Sequence, residues 1–535
     1  MSIYFFLTML LPLLVFYGCD SVSNYVQIGK GDESLSDKGE DSKVYGVFPD
    51  IFIVAIDSLR ADHVGTYGYH RNTTPFIDLI AKRGLVFEKA YSPSSFTRES
   101  VCALFTGKYP SSTSWGTGWM AQIDPGVSPL SECLSSSGYQ TFLYTDNPVL
   151  VPEIFGRGFQ FVEYYTDVYD KSGNGDKLVE KFIGEVSKAE QSKPIFVYFH
   201  FYDPHHPYDP APSYYLSFAN RVYPNPLSLY KDVRPNLPQL VKQGFGPGEE
   251  RFEDLVLRYD AEILMVDHSV KKLYESVAKL RNNRKAIWII TADHGEEFLD
   301  HGFVEHAWRL YLESIHVPLI LHITSEELNG RRIKDEVSLV DIYPTLVNFL
   351  SLQCRNSWEG LVLPLEDWIK GGEKSLSADR VIISELIMPT RTIGVSFIKN
   401  GWQYLCWYKW LTVEQSSEYS KIQKELITAY EKGEFSYPIY CSDPIVYEEF
   451  ISPDEKGYPK NFITFDSNKT VLSELFKFRE NWCATRPKEK NVDDKKKNYR
   501  EIKIEEKGKV DTESQESDRS DGETDFDPLK HGGYF

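Results

Sequence analysis

Carboxylate and imidazole side chains follow three separate apolar segments of this sequence. The three runs are Asp57-Ser-Leu-Arg-Ala-Asp62-His63, His200-Phe-Tyr-Asp203-Pro-His205-His206 and Thr291-Ala-Asp293-His294-Gly-Glu296. A single Asp or His after a strand is usually a helix cap or a locally satisfied polar group. Three such clusters at equivalent positions favour a shared site instead, and mixed Asp and His ligands suit a divalent cation such as Zn²⁺, Mn²⁺, Mg²⁺ or Ca²⁺.

A fourth candidate group is the hydroxyl of Thr97, which the sequence places at the N-cap of a helix that ends near Gly107. In one interpretation Thr97 only caps this helix. In the other it is a nucleophile, because the N–H groups and the dipole at a helix N-terminus would stabilise both an alkoxide and an incoming phosphate or sulfate. A neutral hydroxyl is a poor nucleophile, so the second interpretation requires activation by a metal ion.

Strand-like and helix-like patterns alternate from Asp50 to about residue 370. This alternation predicts an α/β fold with a large, mostly parallel central sheet covered by helices on both faces. Residues 51–56, 194–199 and 286–290 are apolar without alternation and are predicted to be buried central strands. Residues 317–322 contain a proline and are predicted to lie nearer an edge. Ligands of such sheets bind beyond the carboxyl ends of the strands, which is where the three polar clusters fall.

Six motifs, in order, resemble those of the sulfatase family, a branch of the alkaline phosphatase superfamily. They are Ile56-Asp-Ser-Leu-Arg-Ala-Asp-His-Val-Gly-Thr-Tyr-Gly-Tyr69, Phe105-Thr-Gly-Lys-Tyr-Pro110, Gly138-Tyr-Gln-Thr141, His200-Phe-Tyr-Asp-Pro-His205, Thr291-Ala-Asp-His-Gly-Glu-Glu297 and Val340-Asp-Ile-Tyr-Pro-Thr345. The match runs from about residue 50 to 370, with a weaker echo at 447–461. It implies an alkaline phosphatase-like fold and a metal-dependent hydrolase of sulfate or phosphate esters.

The resemblance also assigns roles to individual residues. It implies that Asp57, Asp293 and His294 bind one divalent metal ion, and that Thr97 contacts this ion and is the nucleophile. Two histidines fall where relatives contact the phosphoryl or sulfuryl group and would act in catalysis and substrate binding. These are His205 and His306. Two further candidates for substrate binding are Arg98 and His301, although His301 is equally well explained as a surface-loop histidine.

The sequence departs from the sulfatases that use formylglycine. Their motif begins with Cys or Ser and carries Pro and Arg at the second and fourth following positions, whereas Thr97, Glu99 and Val101 stand there in this chain. Threonine is not converted to formylglycine, and neither Ser94 nor Cys102 offers a complete motif. A threonine nucleophile is typical of phosphotransferring relatives that form a phosphothreonine.

Two alternative functions are therefore weighed beside the hydrolase. One is a phosphoethanolamine- or phosphoglycerol-type transferase of the envelope, although such transferases carry several membrane helices. The other is a non-catalytic envelope-binding protein on a sulfatase scaffold, for which decay of the metal ligands would be expected.

The N-terminus predicts export. Residues 3–17 are almost unbroken apolar sequence, too short for a spanning helix, and Gly18-Cys19 resembles a bacterial lipobox. A retained signal anchor with an incidental cysteine is the alternative. The predicted organisation is a lipoprotein signal at 1–18, a tether at 19–48, a catalytic domain at 49–374, a smaller α+β domain at 375–484 and a disordered charged tail at 485–535. We expect a membrane-anchored lipoprotein of the bacterial envelope that faces the periplasm or the exterior.

Composition limits the partners. The net charge of −19 argues against a non-specific nucleic-acid binder, which would need clustered Lys and Arg. The expected substrate is a small, glycan-linked or lipid-linked sulfate or phosphate ester. Apart from Cys19, six cysteines could form up to three disulfides, and the sequence leaves their pairing open.

Overall fold

The computed structural model describes residues 48–113, 121–164, 174–223, 226–354, 357–388, 393–409, 447–453, 459–462 and 469–485. The signal, tether and tail predicted at the two ends, and part of the 447–461 echo, lie outside these residues. The strands are β1 Asp50–Ile56, β2 Leu85–Tyr91, β3 Gln140–Thr145, β4 Phe161–Tyr164, β5 Ile195–Phe201, β6 Ala286–Ala292, β7 Glu297–Phe298, β8 Val304–Glu305, β9 His316–Val317, β10 Leu319–Ile323, β11 Arg331–Ser338, β12 Ile382–Ile387, β13 Ile393–Lys399, β14 Trp402–Lys409, β15 Tyr447–Pro453 and β16 Pro459–Phe462. The α-helices are α1 Pro75–Ala81, α2 Thr97–Thr106, α3 Pro110–Thr113, α4 Leu130–Ser136, α5 Pro152–Phe155, α6 Asn174–Val186, α7 Pro212–Tyr215, α8 Leu237–Lys242, α9 Glu250–Leu280, α10 Leu312–Ile315, α11 Ile342–Phe349, α12 Leu365–Ile369 and α13 Lys469–Thr485.

The large sheet has the strand order β11-β2-β10-β6-β1-β5-β3-β4, with β9 paired to β2. The block from β6 to β4 is parallel, and β10 is antiparallel to both of its neighbours. Every residue of β1, β5 and β6 is buried, as expected for strands that have a layer on each face. The predicted α/β architecture and its three central strands are confirmed.

One strand prediction is wrong. The segment 317–322 was placed near an edge, but β10 lies inside the sheet, between β2 and β6. Pro318 falls in the break between β9 and β10, so its missing N–H removes no bond from either ladder.

Two groups of helices flank this sheet. The long helix α9 contacts α1, α6 and α7, and its apolar face joins the core formed by the central strands. Helix α2 contacts α3, α4 and α11. Helix α9 begins at Glu250, because the Glu249 side chain accepts a hydrogen bond from the Phe252 N–H and caps it.

A second, smaller sheet follows in the C-terminal part of the chain. Strands β12 to β16 are antiparallel in sequence order, and α13 contacts β13 and β14. This agrees with the α+β character predicted for that region. Among the described residues, no helix is both long and apolar enough to cross a membrane.

Among the described cysteines, two form a disulfide bond and two are buried thiols. Cys133 in α4 forms a disulfide with Cys354, 221 residues along the chain, with their Cα atoms 5.5 Å apart. Cys102 in α2 and Cys406 in β14 are buried thiols. Since two of the six cysteines considered in the sequence are thiols, the remaining four can form at most two disulfides.

An ion pair lies at the amino end of β1. Asp50, which is 0% exposed, accepts hydrogen bonds from Arg281 Nε at 2.8 Å and from the Ile195 N–H at 3.0 Å. Arg281 follows α9 and Ile195 begins β5, so this one carboxylate joins two strands to the long helix. The pair is buried on both sides, because the Arg281 side chain is 1% exposed.

We predict that Asp50→Ala destabilises the fold by about 3–5 kcal/mol, because it leaves the Arg281 charge buried without its partner. Urea unfolding of the purified protein measures the change. The control is Glu185→Gln, which breaks the surface pair with Lys188 and should change stability by less than about 1 kcal/mol. Equal, small effects of both substitutions would contradict this role of Asp50.

Candidate active site

Three neighbouring strands deliver the polar clusters to one edge of the sheet. Ala55 of β1 pairs with His200 of β5 on one side and with Thr291 of β6 on the other. Asp57 therefore emerges beside the end of β5, and its N–H donates to the Phe201 carbonyl at 2.9 Å. Because all three strands are parallel and in this register, the segments that follow their carboxyl ends meet at one edge of the sheet.

Asp57, His200 and Asp293 form a group suited to a metal ion. One potential ligand atom from each lies within 4.8 Å of the other two. His200 Nε2 is 3.3 Å from Asp57 Oδ2 and 3.9 Å from Asp293 Oδ2. His294 Nε2 faces the same carboxylates, 3.4 Å from Asp293 Oδ2 and 3.7 Å from Asp57 Oδ1. Two carboxylates and two imidazoles therefore converge.

The electrostatics of these groups fit a bound cation. Burial raises the pKa of Asp57 to about 6, against the lowering influence of His294 and of hydrogen bonds from Ser58 and Asn147. Burial, together with the charge of Asp57, also raises the pKa of Asp293, and burial lowers the pKa of His200. Asp293 Oδ2 is buried and accepts no hydrogen bond from the residues that the structure describes. A divalent cation would satisfy that oxygen and offset the burial of two charges.

Surrounding side chains hold these groups in place. The Asn147 amide donates to Asp57 Oδ2, and the Ser58 hydroxyl donates to Asp57 Oδ1 at 2.8 Å. Tyr198 Oη lies 3.0 Å from His200 Nδ1, and His294 Nδ1 lies 2.9 Å from the Gly295 carbonyl. Each ring is thus fixed through the nitrogen that faces away from the carboxylates, as is usual for histidines that bind metals.

The backbone at Gly295 permits no side chain. A Cβ atom there would lie 2.0 Å from the Glu313 carbonyl oxygen. The Gly295 N–H also donates to the Ser314 carbonyl at 2.9 Å. This close approach brings the His294 loop against the segment 313–314.

Thr97 lies beside the carboxylate group. Its Oγ1 is 3.1 Å from His294 Nε2, and the residue is 2% exposed. The sequence predicts Thr97 as the N-cap of α2, and this prediction is wrong by one residue. Thr97 is the first residue of the helix, and Phe96 occupies the N-cap. The Thr97 side chain turns toward the histidine instead of toward its own helix.

The helix that carries Thr97 is bonded to the Asp293 backbone. The Ser100 hydroxyl donates to the Asp293 carbonyl at 2.7 Å, and the Ser92 hydroxyl donates to the same oxygen. The two hydroxyl oxygens, Ser92 Oγ and Ser100 Oγ, lie 2.9 Å from each other. The position of Thr97 relative to Asp293 is therefore set by hydroxyls on both sides of the threonine.

Three further histidines stand next to this group. The ring centroid of His306 lies 4.4 Å from that of His294 and 4.7 Å from that of His205. His206 lies 4.2 Å from His205 by the same measure. His306 Nδ1 is 3.0 Å from Glu296 Oε1, and burial raises the pKa of Glu296 to about 8.

The other two predicted substrate-binding residues are Arg98 and His301. His301 stacks on Tyr311 with ring centroids 3.7 Å apart, and its Nδ1 is 2.6 Å from Glu313 Oε1. Arg98 Nε donates to the Val149 carbonyl at 2.9 Å. No contact described for either side chain joins it to Asp57, Thr97 or Asp293, so a role in binding substrate stays a prediction for both.

Sequence reasoning missed three residues of the site. His200 belongs to a predicted cluster but is not among the predicted metal ligands. The apolar residues around it in β5 mark it as an unusual polar residue, but they do not show that it faces Asp57. Asn147 is absent from the predicted site residues, although its amide donates to Asp57 Oδ2. Glu296 follows His294 by two positions and was left without a role.

Comparison with known proteins identifies the family. The sulfatase family model matches residues 49–352, which is more than half of the chain. This protein is a member of the sulfatase family. As such it is a hydrolase that acts on ester bonds, as the motif resemblance implied.

Individual relatives are distant. An arylsulfatase of Clostridium perfringens is 22% identical over 373 residues, covering 59% of this chain and 77% of that protein. A structure solved with its substrate D-glucosamine-2-N,6-O-disulfate aligns with a TM-score of 0.57 at 18% identity, over 72% of this chain and 97% of the other. The phosphonate monoester hydrolase of Agrobacterium radiobacter aligns with a TM-score of 0.53 at 17% identity, over 74% and 99%. At these identities the structures show a shared fold.

We predict that His200→Ala lowers the affinity for Mn²⁺ by at least about tenfold, because it removes an imidazole that faces both carboxylates. Titration calorimetry on the metal-stripped protein measures this affinity. His70→Ala, at an exposed position, is the control and should bind as the unchanged protein does. Tight Mn²⁺ binding by the His200 variant would remove this residue from the ligand set.

Proposed function

We propose that this sulfatase-family enzyme is a metal-dependent hydrolase of sulfate or phosphate esters in which Thr97 is the nucleophile. The observation that carries the proposal is the placement of the Thr97 hydroxyl. It is buried at the first residue of a helix, and its Oγ1 lies 3.1 Å from His294 Nε2, beside the carboxylates of Asp57 and Asp293. A hydroxyl that served only the helix would turn toward the backbone N–H groups of its own first turn.

The proposed metal ligands are Asp57, His200, Asp293 and His294. A divalent cation bound there would supply the positive charge that activates a hydroxyl and offsets the charge of the ester oxygens. Asn147, Ser58 and Tyr198 would orient the ligands through the contacts described above. The metal-binding role of His294 and the contact of Thr97 with the ion belong to the same proposal.

In the proposed reaction, Thr97 Oγ1 gives up its proton to solvent as it attacks the sulfur or phosphorus of the ester. The bond from that atom to the leaving oxygen breaks, and the leaving alcohol takes up a proton. His205 and His306 are proposed to donate protons and to hydrogen-bond the ester oxygens. Their ring centroids are 4.7 Å apart, and that of His306 is 4.4 Å from that of His294. With Nδ1 held by Glu296, Nε2 of His306 is the nitrogen that would protonate the leaving oxygen. Water then attacks the same sulfur or phosphorus and the bond to Thr97 Oγ1 breaks. Thr97 Oγ1 takes up a proton, and sulfate or phosphate is released together with the other proton of the water.

The proposed substrate is an ester on a carbohydrate. The structural relative solved with D-glucosamine-2-N,6-O-disulfate supports this, as does an N-acetylglucosamine-6-O-sulfatase of Bacteroides thetaiotaomicron, 20% identical over 392 residues. The likeness to a phosphonate monoester hydrolase keeps a phosphorus-centred ester in the same proposal. Aryl sulfate, phosphate monoester and phosphodiester substrates tested side by side on the purified protein decide between these chemistries.

Removal of the nucleophile tests the mechanism. We predict that Thr97→Ala lowers kcat by on the order of 10³-fold or more on whichever substrate is turned over, since the covalent route is lost. Thr97→Ser keeps a hydroxyl and should retain more activity than the alanine variant. Rapid quenching followed by mass spectrometry should find the sulfo or phospho group on Thr97. Near-normal turnover by Thr97→Ala would show that another group attacks the ester.

We further propose that the protein is exported and held at the bacterial envelope through lipidation of Cys19. The Cys133–Cys354 disulfide supports export, because disulfides persist in oxidising compartments. Expressed in a bacterium, the unchanged protein should partition with membranes, whereas Cys19→Ser should shift to the soluble exported fraction. An identical distribution of both would contradict the anchor.

A further inference from the structure

Glu99 occupies an unusual position for a charged side chain. It lies two residues after Thr97 in the first turn of α2, where formylglycine sulfatases carry proline, and it is 0% exposed. Burial of a carboxylate is unfavourable unless hydrogen bonds compensate it. The contacts that compensate it indicate what the residue does.

The Glu99 carboxylate closes the turn that carries Thr97. Its Oε2 accepts a hydrogen bond from the Ser94 hydroxyl at 2.8 Å, so a side-chain bridge spans the residues on both sides of Thr97. Ser94 Oγ in turn accepts from the Phe96 N–H at 3.3 Å. The negative charge also lies at the helix end where the dipole favours it.

The same oxygen is bonded to the smaller sheet. Glu99 Oε2 accepts from the Ile387 N–H of β12 at 3.2 Å. Two more bonds join this strand to the segment before Thr97. The Ser384 hydroxyl donates to the Ser92 carbonyl at 2.6 Å, and the Glu385 N–H donates to the Pro93 carbonyl at 2.8 Å.

A third element holds this segment from the side of the histidines. The Ala307 N–H donates to the Ser95 carbonyl at 3.0 Å. Ala307 follows His306 and has a φ of 59°, in the left-handed region that non-glycine residues rarely occupy. The loop before Thr97 is thus fixed between β12 and the His306 loop.

From these contacts we infer that Glu99 is a positioning residue, which fixes the Thr97 hydroxyl by bonding its turn to β12 of the C-terminal sheet. The inference rests on the proposed role of Thr97 as nucleophile. It gives the smaller sheet a part in catalysis, since β12 contributes backbone groups that hold the nucleophile segment. The Glu99 contacts given above are with Ser94 and β12, not with a proposed metal ligand.

The chain offers a matched control at the other end of the same helix. Glu359 accepts from the Tyr109 N–H at 2.9 Å and from the Ser112 hydroxyl at 3.1 Å, and its own N–H donates to the Gly107 carbonyl. It therefore anchors the segment after α2 as Glu99 anchors the segment before it. Loss of either carboxylate loosens one end of α2, but only Glu99 lies next to Thr97.

We expect Glu99→Ala to lower kcat by about 10- to 100-fold while KM and Mn²⁺ affinity stay unchanged, because a small displacement of the attacking atom has an effect of this size. Glu99→Gln keeps an oxygen acceptor and should recover much of the lost kcat. Glu359→Ala should leave kcat within about twofold after correction for the folded fraction measured by circular dichroism. These variants are assayed with Thr97→Ala on the substrate that the panel identifies.

Two results would overturn the inference. One is an equal loss of kcat in Glu99→Ala and Glu359→Ala at equal folded fraction. The other is a loss in the Glu99 variants that lies in KM or Mn²⁺ affinity. If Thr97→Ala is inactive, either result removes only the role of Glu99. If Thr97→Ala remains active, the nucleophile assignment fails, and the positioning role fails with it.

Discussion

The burial of two carboxylates side by side, Asp57 and Asp293, is the constraint on which the rest of this site depends. Their residues are 0% and 1% exposed, and each raises the free energy of the other when both are charged. A folded chain can keep such a pair only if a positive charge or several donors compensate it. The donors that the structure shows leave Asp293 Oδ2 without a hydrogen bond, so the described protein groups do not complete the compensation.

The large sheet provides the rigidity that this arrangement requires. Strands β1, β5 and β6 are parallel neighbours in fixed register, so Asp57, His200 and Asp293 are placed by backbone ladders and not by flexible loops. The Asp50–Arg281 pair closes the opposite end of the same strands. The buried carboxylates at one edge are thus supported by three wholly buried strands and by an ion pair at the other edge.

Much of this could be predicted from the sequence, because apolar strands followed by polar clusters are a local pattern. The order of the central elements and the meeting of Asp57, Asp293 and Thr97 followed from that pattern and from the family motifs. His200 was not assigned because its direction depends on register with Ala55, which no local pattern contains. Pro318 was misjudged for a similar reason, since the break between β9 and β10 that accommodates it is a tertiary feature. The N-cap of α2 was misplaced by one residue because the Thr97 side chain is drawn to His294, a partner 197 residues away.

The departures from the formylglycine motif are best understood together. A formylglycine hydrate can release sulfate by expelling it from a carbon that bears a second oxygen, whereas a threonine ester offers no such route and must be cleaved by water at sulfur or phosphorus. The attacking hydroxyl must then stay fixed through two displacements at the same atom, which makes its positioning more demanding. This chain lacks proline two residues after Thr97, and in its place it has a buried carboxylate that joins Ser94 to β12. With Thr97 as the proposed nucleophile, the absence of that proline and the presence of Glu99 have one physical explanation, since a hydrogen-bonded restraint stands where the formylglycine sulfatases have a backbone restraint.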